Sequence, residues 1–451
     1  MNIARRPSLY GILLGAVLFA GAARAEGLAA APIGEPLPSI PSDSKDLPWT
    51  FKLGGDIGAA SITDPDTGKT KLYNTIALQP EVGVWKLGIG LDLYAYFDSN
   101  GNARRQDWNK ASDLVSKIWY ARWGQKGDPL YARVGGLSNV TLGHGLIMGG
   151  YSNRLLYPDV RKTGAQFDVD LGWAGAESMV SDVQRATLMG GRVYVRPLHG
   201  TELPLFKDLA FGLTGVTDRN PDANKGTRDD QVAVYGADAD LPLFQNEVFS
   251  AKAYGDAAIM RLGKVYTAAG SKDNGKGFAA GVGGKLFFLD YRGEMRSVDN
   301  NFMPNYFDGY YEVDRSTSGT YKAARIPGTS QPRRAGPLAE LYANILNKVR
   351  IGGSYESLNN DPLGIYPRVK AELRTDPSLL LGKFSLAALY ERRGVDKFRD
   401  LGMTRNPNTL MSAELNYMVN EKMRLTAVFK ETFDTTGLPV RTTQIRSDVR
   451  F

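Results

Sequence analysis

The sequence predicts an all-β fold, a transmembrane antiparallel up-and-down β-barrel of about 20 strands, with roughly 16–22 as the bracket. Three observations carry this. The chain opens with an export leader and later contains no apolar run near the ~20 residues that a spanning helix needs. From Trp49 onward, polar and apolar residues alternate with period two in one segment after another. The connections between those segments alternate between short and long. An exported chain that enters a membrane without spanning helices must do so as a closed barrel, because only closure leaves no backbone group unpaired.

Residues 1–25 read as a signal peptide. Arg5 and Arg6 supply the positive start, Leu9 to Ala22 the apolar stretch, and Ala23-Arg24-Ala25 the small residues at −3 and −1 for cleavage before Glu26. Residues 26–48 are rich in Pro, Ala and Ser and read as a periplasmic linker or short plug. Residues 49–451 are the barrel domain.

The cleanest segment is Lys86 to Phe97. Leu87, Ile89, Leu91, Leu93, Ala95 and Phe97 face one way, and Gly88, Gly90, Asp92, Tyr94 and Tyr96 the other. The same reading places strands over residues 50–61, 72–84, 86–98, 115–124, 129–137, 161–170, 172–181, 187–197, 208–217 and 231–241. It continues over 247–257, 276–286, 288–298, 337–346, 348–358, 365–375, 381–391, 408–419, 421–433 and 439–451. Each is near the ~9–11 residues of a tilted spanning strand. Short turns at Trp85, 125–128, Gly172 and Asn347 alternate with long connections such as 99–114, 138–160 and 299–336. A soluble sandwich has no reason to alternate loop length in this way. The one convincing helical stretch lies near Asp107–Val115, in a loop.

Composition excludes several functions. With no Cys there are no disulfides or thiolate metal sites. The two histidines, His144 and His199, cannot make a His-rich metal site. The net charge of +7 sets 55 basic against 48 acidic residues without a basic stripe, so nucleic acid is not an expected partner. No cofactor is expected. The 22 tyrosines suit an interface that is dry on one side and wet on the other.

In the last stretch, Thr443, Ile445, Ser447, Val449 and Phe451 alternate with Thr442, Gln444, Arg446, Asp448 and Arg450. This ending resembles the closing strand of bacterial outer-membrane β-barrels, and with the segments above the resemblance covers the whole mature chain. It points to the porin-like channel class without singling out a subfamily. The resemblance implies a passive channel for small hydrophilic solutes in the bacterial outer membrane. Membrane lipid and lipopolysaccharide would surround it, and Phe451 would address the outer-membrane assembly machinery. It leaves a homo-oligomer open. Two rival classes are a barrel with a blocked lumen, serving a structural, adhesive or export role, and an outer-membrane hydrolase. The second is disfavoured, since no nucleophile motif or orienting acid accompanies His144 in sequence.

Charged residues on the polar face of spanning strands must meet water or one another. The expected pore-lining set is Asp92, Tyr94, Asp168, Asp170, Arg192, Arg196, Asp238, Arg292, Arg296, Arg350, Arg368, Lys370 and Arg374. Early acids and late bases suggest a transverse field, as in general porins. The loop 138–151 is apolar and Gly-rich, and exposed it would invite aggregation. It is expected either to fold into the barrel as a constriction, through Leu142, His144, Leu146, Ile147 and Met148 packing against Tyr94 and Tyr96, or to add a strand. The aromatic-rich loop 299–336 is expected to pack on itself over the mouth or to form a contact surface.

Overall fold

The computed structural model describes residues 49–450, apart from 64–69, 156–159, 204–205, 222–229, 247, 264–273, 300, 317–321, 324–325, 327–332, 362–363, 396, 398–399, 402–407, 421–422 and 434–438. The expected leader, the linker and Phe451 lie outside the described residues.

Each alternating segment becomes one strand of a single antiparallel wall. The wall runs through β1 (Trp49–Thr63), β2 (Thr70–Val84), β3 (Leu87–Leu91), β4 (Leu93–Phe97), β5 (Ile118–Trp123) and β6 (Leu130–Gly135). After the short β7 (Val140–Leu142) and β8 (Met148–Tyr151) come β9 (Gly164–Asp170), β10 (Ala174–Val180), β11 (Leu188–Val195), β12 (Ala210–Asp218) and β13 (Val232–Gln245). Next are β14 (Phe249–Leu262), β15 (Asn274–Leu286), β16 (Leu289–Val298), β17 (Arg334–Ile345), β18 (Val349–Glu356) and β19 (Arg368–Thr375). The chain finishes with β20 (Phe384–Arg393), β21 (Thr409–Met418), β22 (Met423–Phe433) and β23 (Pro439–Arg450).

Neighbours in sequence are neighbours in the sheet, with one exception. β6 pairs directly with β9, so β7 and β8 stand outside the wall as a separate two-stranded sheet. β3 and β4 both pair with β2 and are one wall strand interrupted at Asp92. Counting them as one reduces the 21-stranded sheet to 20 wall positions, and the 20 sequence segments fall on these one for one. The ring closes where β1 meets β23, Gly54–Ala60 against Gln444–Arg450. Closure removes both sheet edges, which would otherwise expose unpaired backbone.

Burial follows the pleat. On β4, Tyr94 and Tyr96 are buried while Leu93 and Ala95 are only partly so; on β12, Ala210, Thr214, Val216 and Asp218 are buried and Phe211 and Leu213 exposed. The outer surface is a belt of exposed Ile57, Ile76, Ile89, Phe167, Leu213, Phe278, Met295, Leu341, Ile351, Leu415 and Ile445. Exposed Trp85, Trp173, Phe287, Leu346 and Leu381 mark the short-turn end. Trp85 (φ 52°) and Phe287 (φ 54°) hold left-handed backbone in those turns, where Gly or Asn would cost less. The aromatic ring is therefore what the position supplies, as in a membrane-interface girdle.

Among the described residues two connections contain α-helix, and Pro377–Leu379 forms a 3-10 turn between β19 and β20. Arg105–Asp107 forms a 3-10 turn and α1 (Ala111–Val115) follows it, within the predicted helical stretch. The second, α2 (Tyr311–Ser316), lies in the 299–333 loop and was not foreseen.

Candidate functional site

The lumen is where the inward polar face collects, and two chain segments fold into it. The first is the β7–β8 hairpin. Its two strands pair with each other, Val140 opposite Tyr151 and Leu142 opposite Met148. Leu142, Leu146, Ile147, Met148 and Tyr151 are all buried, and Met148 and Tyr151 show no exposure. They pack in one cluster with Val216, Val234, Ala258 and Met260 from the inward face of β12, β13 and β14. Tyr94 and Tyr96 belong to a different cluster, so the expected packing of the loop on these tyrosines is replaced by packing on another arc of the wall. That arc has room for it. A Cβ on Gly236 would stand 2.9 Å from Ile147 Cδ1, so the glycine makes the seat. Tyr94 and Tyr96 instead hold Arg161, whose guanidinium stacks 3.2 Å from the Tyr94 ring and donates to Tyr96 Oη at 2.8 Å.

The second segment is the loop after β16. Phe302, Phe307 and Tyr311 are fully buried, and Tyr306 nearly so. The loop reaches the hairpin directly. Asn305 N–H donates to Leu146 O at 2.6 Å, Phe307 N–H to Ile147 O at 3.3 Å, and Gly149 N–H to Asn305 Oδ1 at 2.7 Å. α2 adds Tyr311 Oη donating to Asp218 at 2.7 Å and Tyr151 Oη donating to Glu312 at 2.5 Å. The loop thus packs on the hairpin within the barrel, not on itself alone. Gly277 is its seat, since a Cβ there would lie 2.4 Å from the Phe302 ring.

The predicted lining residues fall into two groups. Several are buried or half-buried, some of them against these segments. Asp92 is buried and paired to Arg161 at 3.0 Å. Arg192 makes a two-pronged pair with Asp238, at 3.0 and 2.5 Å, beside Gly143 of the hairpin. Arg292 donates to His144 O at 2.6 Å and to Tyr254 Oη at 2.7 Å, and pairs with Glu294. Arg296 lies between Glu294 and Glu356 and is almost wholly buried. Arg368 joins Glu391 at 2.5 Å to Asp308 of the in-folded loop at 3.1 Å.

The remainder lies toward the short-turn half, where several side chains reach solvent. Asp168 pairs with Lys126 at 2.7 Å, Asp170 with Arg196 at 2.9 Å, Arg350 with Asp290 at 3.3 Å and Arg374 with Glu372 at 2.9 Å. The side chains of Lys252, Asp290 and Asp170 are 43, 41 and 36% exposed, against 0–5% for Leu146, Ile147 and Met148. Lys370, half-buried on β19, has no ion pair among the described residues. The expected segregation of early acids from late bases is replaced by local pairing around the ring. Opposite charges crowded on neighbouring strands neutralise each other at 2.5–4 Å, where the attraction is strongest.

His144 sits at the hairpin tip, 6% exposed. Its Nδ1 is 3.1 Å from Asp256 Oδ1, its Nε2 is 3.6 Å from Asp240 Oδ2, and its ring stacks on Tyr254 with centroids 4.2 Å apart.

Sequence reasoning missed Arg161, Asp308, Glu391 and Arg393. Asp308 receives Lys322 at 2.9 Å, Arg368 at 3.1 Å and Arg393 at 3.5 Å. Glu391 lies on a strand segment that was identified, and its alternation could have flagged it. Arg161, expected to open the strand 161–170, instead precedes β9, and Asp308 lies in a loop, where no periodicity signals a buried pair.

No family model matches the chain, and no curated protein matches it in sequence. Solved structures do. OccAB2 of Acinetobacter baumannii is 11% identical with a TM-score of 0.34, over 89% of this chain and 98% of that one. OccK5 (OpdH) of Pseudomonas aeruginosa is 10% identical with a TM-score of 0.36, over 89% and 97%. Wzi of Escherichia coli, described as a carbohydrate-binding β-barrel involved in group 1 capsule assembly, is 12% identical with a TM-score of 0.32, over 89% and 84%. Likeness at this level carries no functional weight.

Proposed function

We propose that the chain is a passive, porin-like channel of the bacterial outer membrane for small hydrophilic solutes, narrowed by its in-folded hairpin and loop. The observation that carries this is the closed 20-position wall with charged side chains exposed to water on its inner face. Side chains alone do not fill a barrel of that size, since aqueous lumens open by ~16–18 strands. Local charge pairing makes the expected ion selectivity weak. The outer apolar belt and the turn-end aromatics support the membrane placement. Lipid and lipopolysaccharide would surround the wall, with assembly through the strand that ends at Phe451.

A second reading has its own support. The hydrogen bonds between hairpin and loop favour a sealed lumen and a structural, adhesive or export role. Conductance of the purified barrel in a planar bilayer separates the two. Steady single-channel steps support the channel, and a silent but folded barrel supports the sealed form. Cell fractionation should find a mature form beginning at Glu26 in the outer membrane; recovery as a soluble periplasmic protein would end both readings.

A further inference from the structure

Hairpin tip and wall meet in a group of potential metal ligands. One ligand atom each from His144, Asp238 and Asp240 lie within 4.8 Å of one another. His144 comes from the β7–β8 connection and the two aspartates from the inward face of β13, while Asp256 on β14 stands on the other side of the imidazole. The aspartates nearest the ring face two fixed cations. Arg192 is on Asp238 at 2.5 Å and 3.9 Å from Asp240, and Lys252 is 3.9 Å from Asp240. With a neutral imidazole, three carboxylates meet two positive charges.

We propose that His144, Asp238 and Asp240 bind a divalent transition-metal cation of the zinc class, and that Asp256 orients the imidazole. Asp256 Oδ1 at 3.1 Å is placed to accept the Nδ1 proton. That fixes the tautomer and leaves the Nε2 lone pair directed toward Asp240. This carboxylate–histidine arrangement is the usual support of a metal-bound imidazole. Nε2 and Asp240 Oδ2 are 3.6 Å apart, too long for the hydrogen bond an imidazolium would make there. The spacing is close to the about 3.3 Å that separates two ligands on a tetrahedral ion with bonds of about 2.0–2.1 Å. Stacking on Tyr254 holds the ring plane.

Asp256 supports the imidazole from the side opposite the proposed ion. Asp256 is more than nine-tenths buried, and its Oδ2 has no hydrogen-bond partner. Such a carboxylate favours positive charge on the ring it faces, which an ion on Nε2 would supply through the imidazole. One imidazole with carboxylates suits zinc-class ions better than calcium or magnesium, which favour all-oxygen shells. Asp238 would keep Arg192 on one oxygen while turning the other to the ion. The cation would then staple the hairpin tip to the wall. Binding depends only on these residues; the consequence for conduction rests on the channel reading.

The test uses untagged, full-length barrel in detergent, stripped with EDTA and then titrated with Zn2+. The expected result is one tightly held equivalent, lost in His144→Ala and Asp240→Asn, weakened about 10–100-fold in Asp256→Asn and unchanged in His199→Ala. Heat-modifiable gel migration checks that each variant is folded. Co2+ on the wild-type protein gives a visible absorption band that needs no variant. Zn2+ uptake equal in wild type and folded His144→Ala, or a featureless Co2+ spectrum, overturns the proposal and leaves a charged imidazolium between two aspartates. In a planar bilayer, Zn2+ should reduce open-channel fluctuations and EDTA restore them. Zn2+ uptake by a barrel that does not conduct would count against the channel and not against the metal site.

Discussion

Asn305 donates its backbone N–H to the carbonyl oxygen of Leu146 at 2.6 Å, joining two in-folded segments that lie far apart in the chain. Neither segment contributes a strand to the wall. Barrel integrity and lumen obstruction are therefore separable.

Deleting Leu142–Gly149 removes the turn of the hairpin and its buried Leu146, Ile147 and Met148 while leaving the β6–β9 pairing and the rest of the ladder in place. Single-channel conductance should rise, with the barrel still heat-modifiable on a gel. An unfolded product would mean that the wall depends on the hairpin.

Asp308 is the anchor of the second segment. Burial alone would raise its carboxyl, but Lys322, Arg368 and Arg393 outweigh this and hold it well below the ordinary carboxylate range. Its folded value is thus below its unfolded one, so its contribution is present above the unfolded value and fades only as pH falls through the depressed folded value. Lowering pH from 7 to 4 should leave the loop docked, as read by its resistance to protease. Asp308→Ala removes the carboxylate these three cations share and leaves them only Asp314 and Glu391; it should cost about 3 kcal/mol or less of loop docking, seen as cleavage at pH 7.

Lys370 differs from its neighbours Arg368 and Arg374, which are tied to Glu391 and Glu372. Lys370→Glu should move the reversal potential toward cations without releasing the loop, because wall charge sets the counter-ion concentration in a narrow lumen. Arg368→Glu should instead loosen the loop through Asp308. No shift for Lys370→Glu would place this residue off the conducting path.

Leu213 is exposed in the middle of β12. If lipid covers it, Leu213→Arg should cost about 2–4 kcal/mol and lower the yield of assembled barrel. On a water-exposed surface the same change would be nearly neutral, and unchanged yield would argue against the membrane.

The wall was legible in the sequence because its signal is local. Residues two apart share a face, as Asp92 and Tyr94 do, and turn length alternates along the chain. The lumen's contents were legible only as composition. The loop 138–151 could be flagged as too apolar and Gly-rich to be left exposed, yet its seat on Gly236 and its contact with Asn305 depend on residues distant in sequence. The aromatic loop 299–336 was singled out for the same reason, while its descent to the hairpin was not. His144 read as a lone histidine because Asp240 and Asp256 reach it only once β13 and β14 are in register. Pairing partners such as Arg161 for Asp92 were hidden because they come from a part of the chain distant in sequence.

The seam between β1 and β23 has a kinetic consequence. Ser447 Oγ donates to Ile57 O across 390 residues of chain, so the seam that completes the wall joins the first strand to the last. Such a non-local pairing can form only after the strands between have brought the two ends together. Until that moment a curled sheet presents two raw edges, each able to add a strand from another molecule. Zipping therefore ends the hazard, and a helper that grips the last strand would shorten the time the edges stay open and leave the final stability unchanged.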